Sequence, residues 1–184
     1  MTDHPAVHPQ FLRDGGGDVL QFSPSERLIW KATAATTAGA FDQFELTADP
    51  DHAGAPEHVH DNVDEAFFVL DGAFQFKLGD EVLVAEAGTF VFVPRGINHT
   101  WRNAVLRRSR MILTYVPGGM QSFFEETAPL MHAAKPDLAA LEKVNERHDT
   151  HIVGPPLPSP SPPAVRFPSL SSSSRVETPP WATS

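Results

Sequence analysis

The chain has 184 residues, 41% hydrophobic and 20% charged, enough for one domain with a genuine core. Fourteen Lys and Arg face 23 Asp and Glu, and the formal net charge of −9 speaks against nucleic acid as a partner. With no cysteine, disulfides, thiolate metal sites and cysteine nucleophiles are excluded, and no segment approaches the roughly 18 consecutive apolar residues of a membrane span.

In chain order, residues 1–17 are rich in His, Pro, Asp and Gly and read as a flexible lead. They lack the apolar stretch of a signal peptide, so a cytoplasmic location is expected. Short extended segments separated by turn residues follow, the pattern of an all-β sandwich or barrel. The predicted strands are Leu28–Thr33, Phe41–Thr47, Glu65–Leu70, Ala73–Leu78, Glu81–Ala85, Thr89–Val93, His99–Arg102 and Ser109–Val116. The clearest is a hairpin, in which Phe74, Phe76 and Leu78 alternate with polar residues, Gly79-Asp80 makes the link, and Val82 and Val84 follow. Helix formers and apolar spacing predict helices over Met120–Ala134 and Pro136–Arg147, with Pro136 in a first turn, capping one mouth of the β structure. From Gly154 to Ser184 the chain holds nine of its 18 prolines and eight serines but only three charged residues. Such a composition cannot bury enough apolar surface to order itself, so residues 154–184 are expected to form a disordered tail behind a barrel domain over 18–153.

Two stretches are apolar on both faces, Ala66–Leu70 and Met111–Leu113. One face of each is expected to meet the barrel interior and the other a second sheet or a partner subunit, which predicts a homodimer. Arg102, Arg107, Arg108 and Arg110 form the one basic concentration and read as a solvated hairpin end rather than the rim of an anion site.

The residues that carry chemistry lie mid-chain. In an extended segment side chains alternate, so His58 and His60 project from one face and two imidazoles can reach one ion. After the turn at residues 61–64, Glu65 offers a carboxylate toward the same space. Farther on, Pro94 and Gly96 flank a tight turn that re-aims the chain so that His99 can face the interior. Three imidazoles and a carboxylate suit a divalent transition metal, Fe, Mn, Co, Ni, Cu or Zn, with positions left open for water or substrate. By strand parity Phe67 shares the face of Glu65, and Trp101 that of His99; both are candidates for the core and for a substrate-binding wall. His4, His8, His132, His148 and His151 read as surface or satisfied residues, and His52 as a loop residue rather than a fifth ligand.

These segments resemble the two motifs of the cupin family. His58, His60, Glu65 and Gly72 fall on the first, although His52 stands where its opening glycine is expected, two positions before Gly54; Gly88, Pro94, Gly96, His99 and Asn103 fall on the second, with Asn98 where many relatives have Pro. The resemblance covers about residues 17–158. It implies a single-domain jelly-roll β-barrel with His58, His60, Glu65 and His99 as metal ligands. Segments around Tyr115–Glu126 and Ile152–Leu157 look like those of bacterial cupins grouped with quercetin 2,3-dioxygenases. This implies ring-opening dioxygenation, with O2, of a flavonol-like or other enolisable small molecule, Glu65 being both ligand and proton acceptor. A metal-dependent isomerase or lyase, and a non-catalytic small-molecule binder, are the alternatives from the same site.

Overall fold

In the computed structural model, which describes residues 7–50, 52–133 and 135–158, the alternating segments become strands. They are β1 (Asp18–Ser23), β2 (Glu26–Ala32), β3 (Asp42–Ala48), β4 (Glu57–Val59), β5 (Asp64–Asp71), β6 (Ala73–Leu78), β7 (Glu81–Glu86), β8 (Phe90–Val93), β9 (His99–Asn103), β10 (Ser109–Val116) and β11 (His151–Gly154). Three helices join them: the single turn α1 (Ala34–Thr37), α2 (Gln121–Met131) and α3 (Leu138–Arg147).

The strands form two antiparallel sheets, ordered β1-β2-β3-β10-β5-β8 and β11-β4-β9-β6-β7. Period-two burial shows which faces meet. On β10, Ser109, Met111, Leu113 and Tyr115 are buried while the residues between them face outward. Glu65, Phe67 and Val69 of β5 and Phe44 and Leu46 of β3 join the same interior. From the facing sheet come Phe74, Phe76 and Trp101, and the result is one core between two sheets, a jelly-roll-type β-barrel. The Gly79-Asp80 link is as expected: Leu78 pairs with Glu81 and Gly79 takes φ 57°.

The barrel is longer than the predicted strands at both ends. β1 and β11 were not expected; each is a short edge strand, mostly exposed, whose order comes from its partner rather than from an apolar pattern. β11 reaches Gly154, and Pro155 accepts a bond from Glu57 N, so ordered chain continues past the composition break. The Pro/Ser-rich stretch from Ser159 onward, like residues 1–6 of the expected lead, lies outside the described residues.

Helix α2 lies against β1 and inserts Phe124 into the end of the barrel. Its ring packs edge-on to Phe22, Trp30 and Phe44 at 5.3, 5.8 and 5.0 Å. Asp42, wholly buried at the start of β3, accepts from Gly119 N (2.7 Å) and Gln121 N (3.1 Å) and so fixes the entry to α2. The α3 boundary differs from expectation: Asp137 is its N-cap, accepting from Ala140 N at 3.0 Å, and Pro136 precedes the helix.

Gly54 and the motif residue Asn103 act as knots in the backbone. Gly54 sits at φ 81° against β9, where a β-carbon would stand 1.7 Å from the Trp101 carbonyl oxygen, so no other residue fits. Asn103 donates to the carbonyls of Ala48, Asp49 and Arg107 and accepts from Val105 N and Ser109 Oγ, tying the loop after β3 to the β9–β10 loop at one end of the barrel. At that end Arg107, Arg108 and Arg110 are answered by Asp71, Asp49 and Glu45, each at 2.8 Å, while Arg102 is buried. Three of the four arginines are thus neutralised by the protein itself, and Arg102 donates to the carbonyls of Asn103 and Pro158.

Candidate metal centre

Three strands, β4, β5 and β9, deliver the predicted ligands to one point. His58 lies on β4 and pairs in register with His99, the first residue of β9, which brings their ring centroids to 4.3 Å. His60 follows one pleat repeat after His58, and Glu65 faces inward on β5. One ligand atom from each of the four lies within 4.8 Å of the others, and all four residues are at least 93% buried.

Backbone carbonyls set the orientation of every imidazole. The Nδ1–H groups of His58, His60 and His99 donate to the carbonyls of Pro56 (2.8 Å), Asp149 (2.7 Å) and Ile97 (2.9 Å). That leaves the three Nε2 atoms to converge on Glu65, the arrangement by which outer partners fix a metal-binding tautomer. The turns holding the ligands are clasped together. Gly96 N donates to the His60 carbonyl at 2.7 Å, and Asp64 accepts from Arg95 N, Nε and Nη2 at 2.8 to 3.0 Å.

Electrostatics within the cluster fit a cation. Glu65 Oε2 accepts from His99 Nε2 at 2.8 Å and lies 3.8 Å from His60 Nε2. Burial would raise this carboxyl, but the His99 hydrogen bond and the neighbouring imidazoles outweigh it and hold the group at about 2. His99 is raised despite its burial, because Glu65 and the Ile97 carbonyl both favour the imidazolium. His58 is pushed down to about 3, by burial first and then by His99. His60 Nε2 is buried and has no hydrogen-bond partner among the described residues. An orphaned imidazole nitrogen beside an ionised carboxylate is the donor set a divalent first-row ion satisfies, and the group of His58, His60, Glu65 and His99 could hold one.

The cluster opens into a cavity of about 640 Å³ to which His58, His60, Glu65 and Trp101 contribute. Phe22, Leu46, Leu113, Phe123 and Phe124 make its apolar walls, and α3 contributes Leu138 and Leu141. The two candidates for a substrate wall therefore part. Trp101 lines the cavity, whereas Phe67 does not; it is fully buried and packs edge-on to Phe76 at 5.0 Å, as a core residue. Tyr115 stands beside the ligands, its ring 6.2 Å from that of His60. Burial, reinforced by the Glu65 carboxylate, raises its hydroxyl well above the ordinary value, so it stays protonated.

Three residues of the site were not singled out in the sequence. Tyr115 shares the inward parity of Leu113 and was legible on that ground. Glu26 shares the parity of Leu28 and Trp30, but follows a Ser-Pro-Ser turn that hides the strand start. Asp149 acts on His60 through its backbone carbonyl from 89 residues away, at φ 53°, and no sequence signal marks such a contact.

Comparison with known proteins agrees with this geometry. The cupin domain family model matches residues 44–115, the span that contains all four ligands. The chain is 28% identical over 140 residues to quercetin 2,3-dioxygenase of Bacillus subtilis (strain 168); the match covers 76% of this chain but 41% of that protein. Among solved structures, KdgF from Halomonas sp. superposes with a TM-score of 0.54 at 20% identity, covering 61% of this chain and 96% of that one. A predicted oxalate decarboxylase from Thermotoga maritima gives 0.53 at 15% identity, covering 59% and 99%. These two likenesses speak for the fold alone. With two antiparallel sheets and the family model spanning all four ligands, the chain carries a cupin domain over residues 44–115.

Proposed function

We propose that the protein is a metal-dependent dioxygenase acting on a flavonol-like or other enolisable small molecule. The observation that carries this reading is a buried donor set of three imidazoles and one carboxylate, opening onto a cavity walled by aromatic and aliphatic side chains. The name of the Bacillus subtilis relative supports the substrate class. His58, His60, Glu65 and His99 would hold a divalent cation, which when bound would supply Lewis acidity toward a keto-enol unit.

The chain's own residues do the rest. Glu65, kept ionised by His99, is placed to take the enol proton, and its grip on His99 must loosen for it to act as a base. The neutral Tyr115 hydroxyl stands against the same carboxylate and orients it. Trp101, Leu113 and Phe124 hold a flat apolar body and exclude water from the reacting end. The test is to measure metal content, reconstitute with Fe, Mn, Co and Ni, and follow O2 consumption across a flavonol and polyphenol panel. Uptake with ring-opened product supports the reading. Product without uptake assigns an isomerase or lyase instead, and saturable binding without product assigns a binder.

We propose further that two copies associate through β8, the edge strand of the six-stranded sheet opposite β1. Phe90 and Phe92 on this edge are 62% and 54% exposed, and Phe68, in register with Phe90, is 43% exposed. Such an aromatic edge is a self-complementary surface about a two-fold axis. A monomeric mass by light scattering at micromolar concentration would overturn this. Among the described residues no helix is long and apolar enough to cross a membrane. The cytoplasmic location expected from the sequence belongs to this proposal and is tested by fractionation of the source cells.

A further inference from the structure

The cavity has a second polar wall that the metal centre does not use. Glu26 projects inward from β2 in parity with Leu28 and Trp30, and is 5% exposed. Its Oε2 lies 3.2 Å from His52 Nε2. His52 is itself fixed, with Nδ1 3.0 Å from Ser25 Oγ and its ring over Trp101 at a centroid distance of 5.4 Å. Both residues line the cavity. So does Thr127 of α2, whose Oγ1 is buried with no hydrogen-bond partner among the described residues.

Register sets this wall apart from the ligands. Glu26 pairs with Ala48, and Ala48 with Ser109 of β10, whereas Glu65 pairs with Tyr115 of the same strand. The two carboxyls thus enter the barrel from different rows of β10, at Ser109 and at Tyr115, with Leu113 and Leu46 on rows between them. A buried carboxyl on a core-facing strand position is costly, and burial pushes this one up to about 8. Packing alone gives no reason for a carboxyl, an imidazole and an orphaned hydroxyl to line the same cavity beside the ligands.

We propose that Glu26 and His52, with Thr127, form a second recognition station that takes a hydroxyl on the end of an aromatic ligand remote from the metal centre. A hydroxyl both donates and accepts, so it can meet the Glu26 carboxyl in either protonation state and the Thr127 hydroxyl, while His52, held by Ser25, keeps Glu26 in place. A ligand carboxylate would meet the oxygens of Glu26, and an apolar end would leave the Thr127 hydroxyl facing it unpaired. The inference rests on the cavity's being the seat of an aromatic substrate, but not on that substrate's oxidation.

The test uses the full-length, metal-loaded protein without oxygen, titrated by tryptophan fluorescence with flavonols carrying no, one or two hydroxyls on the remote ring. Wild type should bind the hydroxylated ligands about tenfold more tightly than the unhydroxylated one. In Glu26→Leu that preference should fall to within about twofold, with metal content and affinity for the unhydroxylated flavonol retained. Thr127→Val, a change of similar shape, should lose a smaller part of the same preference and guards against misfolding of the first variant. No preference in wild type, a preference kept in both variants, or no flavonol binding at all would overturn the inference. Oxygen uptake separates it from the dioxygenase reading: preference without uptake sinks only that reading, and uptake without preference sinks only this one.

Discussion

Glu26 gives a prediction whose size follows from the structure. The side chain is buried between β2 and the cavity, with His52 at 3.2 Å and Ser25 behind His52, and the Tyr115 hydroxyl feels its charge. Burial raises the carboxyl from 4.5 to about 8. In the unfolded chain the group ionises near 4.5, while the folded protein holds the proton until about pH 8. The contribution to stability is therefore fully present below pH 4.5 and is lost as pH rises toward 8. Each tenfold difference in proton affinity is worth about 1.4 kcal/mol, so between pH 5 and 7 wild type should lose about 2.5 kcal/mol through this group. Gln has the same shape and does not ionise. The stability of Glu26→Gln relative to wild type should accordingly rise by about 2.5 kcal/mol over that interval, measured by urea unfolding at pH 5, 6 and 7. A difference flat to within about 0.5 kcal/mol would refute the reasoning and show that His52 keeps Glu26 ionised in a buried ion pair.

Two further changes probe the scaffold. Gly54→Ala places a methyl group against the Trp101 carbonyl at a left-handed backbone position. It should cost at least about 3 kcal/mol, a fall in Tm of roughly 6–12 °C by calorimetry. Phe124→Ala removes the aromatic plug that joins α2 to the barrel and should cost about 3–5 kcal/mol in urea unfolding, with a fluorescent apolar dye gaining access to the enlarged cavity.

Legibility in the sequence followed the reach of each interaction. The β6–β7 hairpin and the alternation of β10 were visible because they depend on neighbours in the chain. The four ligands were visible because His58, His60 and Glu65 lie within eight residues and the turn before His99 carries its own Pro and Gly. Edge strands β1 and β11 escaped because partner strands order them, not their own apolar pattern. The second polar wall escaped for a different reason: Glu26 and His52 meet only when the loop after β3 folds back onto the start of β2. Phe67 shows the limit of parity, which places a side chain inside a barrel but does not separate packed core from open cavity.

The central claim is that His58, His60, Glu65 and His99 hold a divalent transition metal. Its most direct test is elemental analysis of the purified full-length protein beside His60→Ala, each exposed to Fe, Mn, Co, Ni, Cu and Zn and then freed of loose ions. Wild type should retain about one ion per chain, and the variant should lose it while keeping its β-sheet circular dichroism. Stoichiometric metal in His60→Ala, or none in wild type with any of the six ions, would contradict the account.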